Sequence, residues 1–271
     1  MTTKIFLDSG DPKETKTTLE FLGALDGQTT NPSLIAKNPE ALGKKFTTKE
    51  VYDFYKKVVT EISQLIPQGS VSVEVYADKS TTVEQMIKQA QEMNSWIPNA
   101  HIKLPIIEKG LKAAEILVKQ DIRVNMTLCF SQQQAAAVYA ATKGAKKGDV
   151  FVSPFIGRLD DKGINGMDLI KNCVEMFKLS DGHVEVLAAS IRNLYHHQAC
   201  LDCQTDIITS PLVILRQWQE KLPTPKAAAN LSAIKYESFD LNKPWTEFNI
   251  QHELTDVGME KFCTDWQGII K

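Results

Sequence analysis

The run NAHIKLPI, residues 99–106, sets a lysine, Lys103, between Ile102 and Leu104 in what otherwise reads as a short buried strand. An unpaired ammonium is costly to desolvate there. On this stretch alone two readings stand: a strand-end lysine whose charged head reaches water, or an amine kept partly neutral so that it can act as a nucleophile. Other residues with chemical potential also follow short apolar runs. They are Asp8 in FLD, Glu74 in VEV, Asn125 and Thr127 in NMTLCFS, and the arginines Arg158 in SPFIGR and Arg192 in ASIRN. A different chemistry is suggested by HHQACLDC, where His196, His197, Cys200 and Cys203 have i, i+3 and i, i+4 spacings that could gather metal ligands on one helix face. Its CxxC could instead be a redox pair. No second ligand pair follows at zinc-site spacing, and cysteine is also a common small hydrophobe in helix packing.

The elements that must position these groups alternate along the chain. Strands are predicted over residues 4–7, 24–28, 71–76, 100–104, 122–128, 149–152, 184–188 and 206–209. Helices are predicted over 11–22, 48–66, 81–96, 108–119, 132–143, from the loop 157–166 to 179, and over 193–200 and 211–220. Eight strand-then-helix units with short connections are what a (β/α)8 barrel, the TIM barrel of the α/β class, requires. No linker rich in Pro, Gly or Ser divides them, so one domain is expected over 1–271. The barrel would occupy about 3–220, with a tail over 221–271 that ends in an amphipathic helix and packs over one end of the barrel.

Strand parity then sorts the side chains, because alternate residues face opposite sides. In VSVEVY, Val71, Val73 and Val75 oppose Ser72, Glu74 and Tyr76; in IRVNMTL, the apolar set opposes Arg123, Asn125 and Thr127. The uniformly apolar face of each strand should meet the helices, leaving the mixed face inside. Asp8, Glu74, Lys103, Asn125 and Thr127 then converge near the C-terminal ends of their strands, where active sites of this fold lie. Singly, each could cap a helix or satisfy a loop. Together they favour the nucleophile reading of Lys103.

The chain has 271 residues, 43% hydrophobic and 24% charged, with a formal net charge of -2. That balance argues against a nucleic-acid partner, which calls for a basic excess. No apolar run reaches membrane-span length, and MTTKIFLDSG lacks the layout of a signal peptide. The five cysteines are an odd number in a chain long enough to build a core without disulfides. A cytoplasmic protein with reduced thiols and no membrane partner is expected. No GxxxxGK[ST] or GxGxxG phosphate loop is present.

In seven places, in order, the sequence resembles the transaldolase family: FLD, TTNPS, VEV, IKLP, NMTLCFS, SPFIGR and ASIRN, spread over residues 4–215. The resemblance implies that Lys103 forms a Schiff base with a ketose phosphate. It implies that Glu74 with Thr127 activates a water for proton shuttling, and that Asp8 is the general base for the C4 hydroxyl. Asn31, Asn125 and Ser153 would hold the hydroxyls of a dihydroxyacetone unit. Arg158 and Arg192, helped by Ser190, would clamp the phosphate, a task suited to the guanidinium fork; taken singly, either arginine also reads as a surface ion-pair residue. The iminium acts as electron sink, so neither metal nor cofactor is implied, and the partners are sugar phosphates. Glu74 stands where fructose-6-phosphate aldolases tend to carry glutamine, and Phe155 where they tend to carry tyrosine, which favours transfer over simple aldol cleavage. A deoxyribose-phosphate type of class I aldolase shares the strand lysine but not TTNPS, SPFIGR or ASIRN. The leading helix of longer transaldolases has no counterpart before the first strand, which leaves a homo-oligomer interface open.

Overall fold

A computed structural model describes residues 2–178 and 180–271. Its strands are β1 (Lys4–Asp8), β2 (Gly27–Thr29), β3 (Ser70–Glu74), β4 (Ala100–Pro105), β5 (Val124–Cys129), β6 (Val150–Pro154), β7 (Val184–Ala188) and β8 (Ile207–Ser210). All pair in parallel in sequence order, and β8 returns to β1 through Lys4–Ile207 and Phe6–Thr209 to close the barrel. The helices are α1 (Pro12–Leu22), α2 (Pro32–Ala36), α3 (Thr48–Leu65), α4 (Val83–Asn94), α5 (Glu108–Val118), α6 (Gln132–Ala141), α7 (Ile156–Asp160), α8 (Gly166–Phe177), α9 (Leu194–Asp202), α10 (Leu212–Gln219) and α11 (Glu253–Gln267). The expected (β/α)8 barrel is therefore the observed one. Among the described residues no helix is long and apolar enough to cross a membrane.

Local chemistry sets many of the boundaries. Thr47 and Glu50 form a capping box at α3, and Thr82 and Gln85 another at α4, each satisfying two amide donors that a helix start leaves open. The second strand starts later than residue 24 because Asp26 Oδ2 accepts the Ile5 amide at 2.8 Å, in place of a ladder bond. Two short helices replace predicted loop. Asn31 caps α2, with Pro32 at its first position, and α7 overlaps the start of the stretch 157–166 read as a polar, glycine-bearing loop. The predicted helix end at Leu179 lies outside the described residues; α8 itself ends at Phe177.

Parity works as expected. The apolar strand faces pack against the helices, while the mixed faces fill the barrel. At its closed end His101 stacks on Phe151 at 4.0 Å, with Nδ1 2.7 Å from Ser70 Oγ and Nε2 2.9 Å from the Gly148 carbonyl. That pattern makes Nε2 the donor and Nδ1 the acceptor, and burial pushes the imidazole down to about 3. His101 thus plugs the barrel two residues before Lys103.

The C-terminal helix α11 lies across the other end. The ladder of β5 shifts register between Met126 and Cys129, and Leu128 adopts a positive φ of 61°. The Leu128 carbonyl accepts a hydrogen bond from Thr255 Oγ1 at 2.9 Å. Gly258 comes down beside it; a Cβ there would stand 2.5 Å from an Arg158 guanidinium nitrogen and 2.6 Å from Leu128 Cδ2. Trp266 packs edge-on against Tyr52 and Tyr55, and Ser33 donates to Asp265.

Candidate active site

At the C-terminal mouth of the barrel, adjacent strands β3 and β4 end in register with Glu74 beside Lys103. Lys103 Nζ is 3.0 Å from Glu74 Oε2, and both residues are 4% exposed. The approach is that of an ion pair without hydrogen-bond alignment, and Glu74 Oε2 has no hydrogen-bond partner among the described residues. Burial raises the Glu74 carboxyl above its ordinary value, opposed by the charges of Lys103 and Arg158. A carboxyl so perturbed beside an amine can exchange a proton with it.

Glu74 is held from behind. Its amide donates to Tyr55 Oη at 2.8 Å, Tyr55 donates to Thr30 Oγ1 at 2.6 Å, and Thr30 donates to the Ser72 carbonyl at 2.7 Å. This relay from α3 to β3 is invisible in the sequence, because Tyr55 reads there as one more core position of an amphipathic helix.

Asp8 closes β1 on the same mouth. Thr209 donates to Thr29 at 2.6 Å, and Thr29 to Asp8 Oδ1 at 2.7 Å. Burial raises the Asp8 carboxyl, with Lys103 and the Thr29 hydroxyl pulling the other way. Asn125 and Ser153 join on the barrel floor: Ser153 Oγ donates to Asn125 Oδ1 at 2.6 Å, and Asn125 Nδ2 donates to Ser72 Oγ at 3.0 Å. Thr127 Oγ1 is buried without a partner among the described residues. Among the described residues three buried side-chain polar atoms lack a hydrogen-bond partner, and two of them, Glu74 Oε2 and Thr127 Oγ1, lie together at this mouth, the third being His197 Nε2 in α9; the pair marks a place for polar chemistry. Asn31 is engaged as a helix cap, its Oδ1 accepting the Leu34 amide at 2.9 Å.

The arginines occupy the next two corners. Arg158, on α7, has its guanidinium 5.1 Å from the Phe155 ring and 5.4 Å from that of Phe262 on α11. Phe262 also lies 5.9 Å from Lys103 Nζ, so one ring roofs both cations. Among the described residues no carboxylate forms an ion pair with Arg158, which is half-buried; burial lowers its guanidinium from the ordinary value, and Arg192 adds to that effect. Arg192 is exposed and pairs with Asp161 at 3.1 Å, while its Nε reaches Ser190 Oγ at 3.4 Å. Ser190 has a φ of 58°, and its carbonyl accepts the Gly157 amide at 3.0 Å. A Cβ on Gly157 would come within 2.3 Å of Arg192 Cγ, so only glycine fits between the two corners.

The model described as Transaldolase/Fructose-6-phosphate aldolase matches residues 5–271. The chain belongs to that family. A relative from Dehalococcoides mccartyi named probable transaldolase is 36% identical over 99% of this chain and 100% of its own length. One of the same name from Brucella ovis is 37% identical over 97% of this chain and 96% of its own. A solved mandelate racemase/muconate lactonizing enzyme from Roseiflexus sp. covers 80% of this chain with a TM-score of 0.50 at 10% identity, a likeness of fold alone; this chain spans 56% of its length.

Within this family member the HHQACLDC side chains disperse. His196 turns to Asp160 at 2.9 Å, His197 to Ser210 at 2.9 Å, and the Cys200 thiol to Met167 Sδ at 3.8 Å. All five cysteines are free thiols, and among the described residues no three His, Cys, Asp or Glu side chains form a metal-binding group. Sequence reasoning set Ser72 on the inward face without giving it a role, and it missed Thr29, Tyr55 and Phe262. Thr29 could have been found by extending the parity argument to β2; Phe262 carried no signal, because its contact depends on how the tail docks.

Proposed function

We propose that the chain is a transaldolase acting on sugar phosphates through a Lys103 Schiff base. The observation that carries this reading is the buried Lys103–Glu74 pair at the barrel mouth, beside a raised Asp8 carboxyl. The Lys103 amine attacks the C2 carbonyl of a ketose phosphate such as fructose 6-phosphate or sedoheptulose 7-phosphate. Glu74, with the Thr127 hydroxyl, carries protons through a water so that C2 oxygen leaves as water and a protonated imine forms. Asp8 takes the proton of the C4 hydroxyl; the C3–C4 bond breaks, an aldose phosphate departs, and its electron pair is stored as the enamine. Attack of that enamine on an acceptor aldehyde, glyceraldehyde 3-phosphate or erythrose 4-phosphate, returns the proton from Asp8, and hydrolysis frees Lys103.

Asn31, Asn125 and Ser153 hold the hydroxyls of the three-carbon unit, and Arg158, Arg192 and Ser190 hold the phosphate. Phe155 has no hydroxyl to orient a water against the enamine, which weighs for transfer over simple cleavage. Borohydride reduction in the presence of fructose 6-phosphate, followed by peptide mapping, is the test. A three-carbon adduct on Lys103 is expected; an adduct elsewhere, or none, would remove the reading. Release of free dihydroxyacetone without an acceptor, at the rate of transfer, would favour an aldolase instead.

A further inference from the structure

Two like charges sit at the phosphate end on different elements, Arg158 on α7 and Arg192 on the turn before α9, and they disfavour one another electrostatically. A clamp for one phosphate needs their separation fixed before the ligand arrives. The backbones of the two corners are joined by the Ile156 amide on the Ala189 carbonyl and the Gly157 amide on the Ser190 carbonyl, each at 3.0 Å. One side chain also spans them. His196, in the first turn of α9 and 2% exposed, accepts the Arg192 amide on Nδ1 at 3.3 Å. Its Nε2 donates to Asp160 Oδ2 at 2.9 Å, at the end of the helix that carries Arg158. Asp160 is fixed in turn, its Oδ1 accepting the Gly166 amide at 2.9 Å. The ring's own place is set by Asn193, whose side chain accepts the His196 amide at 2.9 Å.

Both ring nitrogens are therefore used, in opposite senses, which defines the neutral Nε2–H tautomer. A packing residue needs neither bond, and a metal ligand would need one nitrogen open. We propose that His196 is a positioning residue that locks the spacing of Arg158 and Arg192 and so confers the preference for phosphorylated over unphosphorylated ketoses. The inference rests on the reading of the two arginines as the phosphate clamp.

The experiment compares kcat/KM for fructose 6-phosphate and fructose as donors, in variants first shown to be folded by their thermal transitions. His196→Phe keeps the volume and loses both bonds. It should lose about tenfold or more on fructose 6-phosphate and at most about twofold on fructose, with KM for the phosphorylated donor moving more than kcat. His196→Asn, which keeps an acceptor near Nδ1, and His196→Gln, which keeps a donor near Nε2, should each recover part of the loss. These two also carry the test if the Phe variant does not fold: each should then fall below the parent on fructose 6-phosphate while matching it on fructose. Equal losses on both donors, or no loss on either, would overturn the inference. Arg158→Ala and Arg192→Ala run alongside separate the two ideas. If they discriminate between the donors and the His196 variants do not, the clamp stands and the role of His196 falls. If the arginine variants do not discriminate, the clamp falls and takes the inference with it.

Discussion

Replacing Lys103 by methionine isolates the chemistry of Glu74. The buried pair loses its cation, and the carboxyl, already raised by burial, loses the charge that was pulling it down. Stranding a buried charge costs about 3–5 kcal/mol, but Glu74 has a cheaper course, which is to fold protonated. At about 1.36 kcal/mol per pH unit, protonating at pH 7 a carboxyl whose ordinary value is 4.5 costs about 3.4 kcal/mol. Burying the methionine side chain returns about 1.5–3 kcal/mol. Lys103→Met should therefore fold, with a net loss at pH 7 between about 0 and 2 kcal/mol.

The sign of its pH dependence follows from the raised carboxyl. The folded variant holds a proton that the unfolded chain releases above its ordinary value. Its stability is full below pH 4.5 and falls as pH rises toward the folded value, by up to about 1.4 kcal/mol per pH unit. Urea unfolding at pH 5, 6 and 7 reads this slope against the parent, whose Lys103 compensates the charge and flattens the profile. Transfer activity should be absent at every pH. Retained activity would sink the nucleophile assignment, and a slope equal to the parent's would show that Glu74 is not held as a lone buried acid.

Four further variants probe the mouth of the barrel. Arg158→Ala and Arg192→Ala should each weaken phosphorylated donors by about 1.5–3 kcal/mol, the scale of a charged hydrogen bond, which is roughly 10- to 150-fold in kcat/KM; equal losses on an unphosphorylated donor would make them supports of the rim. Gly157→Ala would place a methyl within 2.3 Å of Arg192 Cγ, so KM for fructose 6-phosphate should rise while the borohydride adduct of Lys103 still forms; an unchanged KM would mean that the Arg192 corner yields freely. Phe262→Ala removes a buried ring and should cost about 3–5 kcal/mol of stability, read by urea unfolding, together with a loss of turnover larger than that of Trp266→Ala on the same helix; parity between the two would reduce Phe262 to packing.

The fold was legible because the alternation of apolar runs and amphipathic segments is long and regular, and parity then aimed the polar residues. Asp8, Glu74, Lys103, Asn125 and Thr127 were each placed inside by counting in twos, which survives errors of a residue or two at strand ends. What escaped depends on contacts distant in sequence. Helix α7 exists because Ile156 and Gly157 find carbonyls on the following strand corner, and no local propensity announces that. The double role of His196 required the Asp160 carboxylate, 36 positions earlier. The cap of α2 has a local signal, since Asn before Pro reads as a helix start, and Asn31 Oδ1 accepts the Leu34 amide there.

The docking of α11 has a consequence in time. The last strand of the barrel is finished at Ser210, but the ring over Lys103 and Arg158 arrives only with Phe262. At roughly 5–20 residues per second on the ribosome, a nascent chain spends about 3–10 s with its strands complete and Lys103 unroofed. If Lys103 is the nucleophile proposed above, its amine in that interval is open to small carbonyl compounds. The late roof means that the chain acquires its most vulnerable group early and its shelter last.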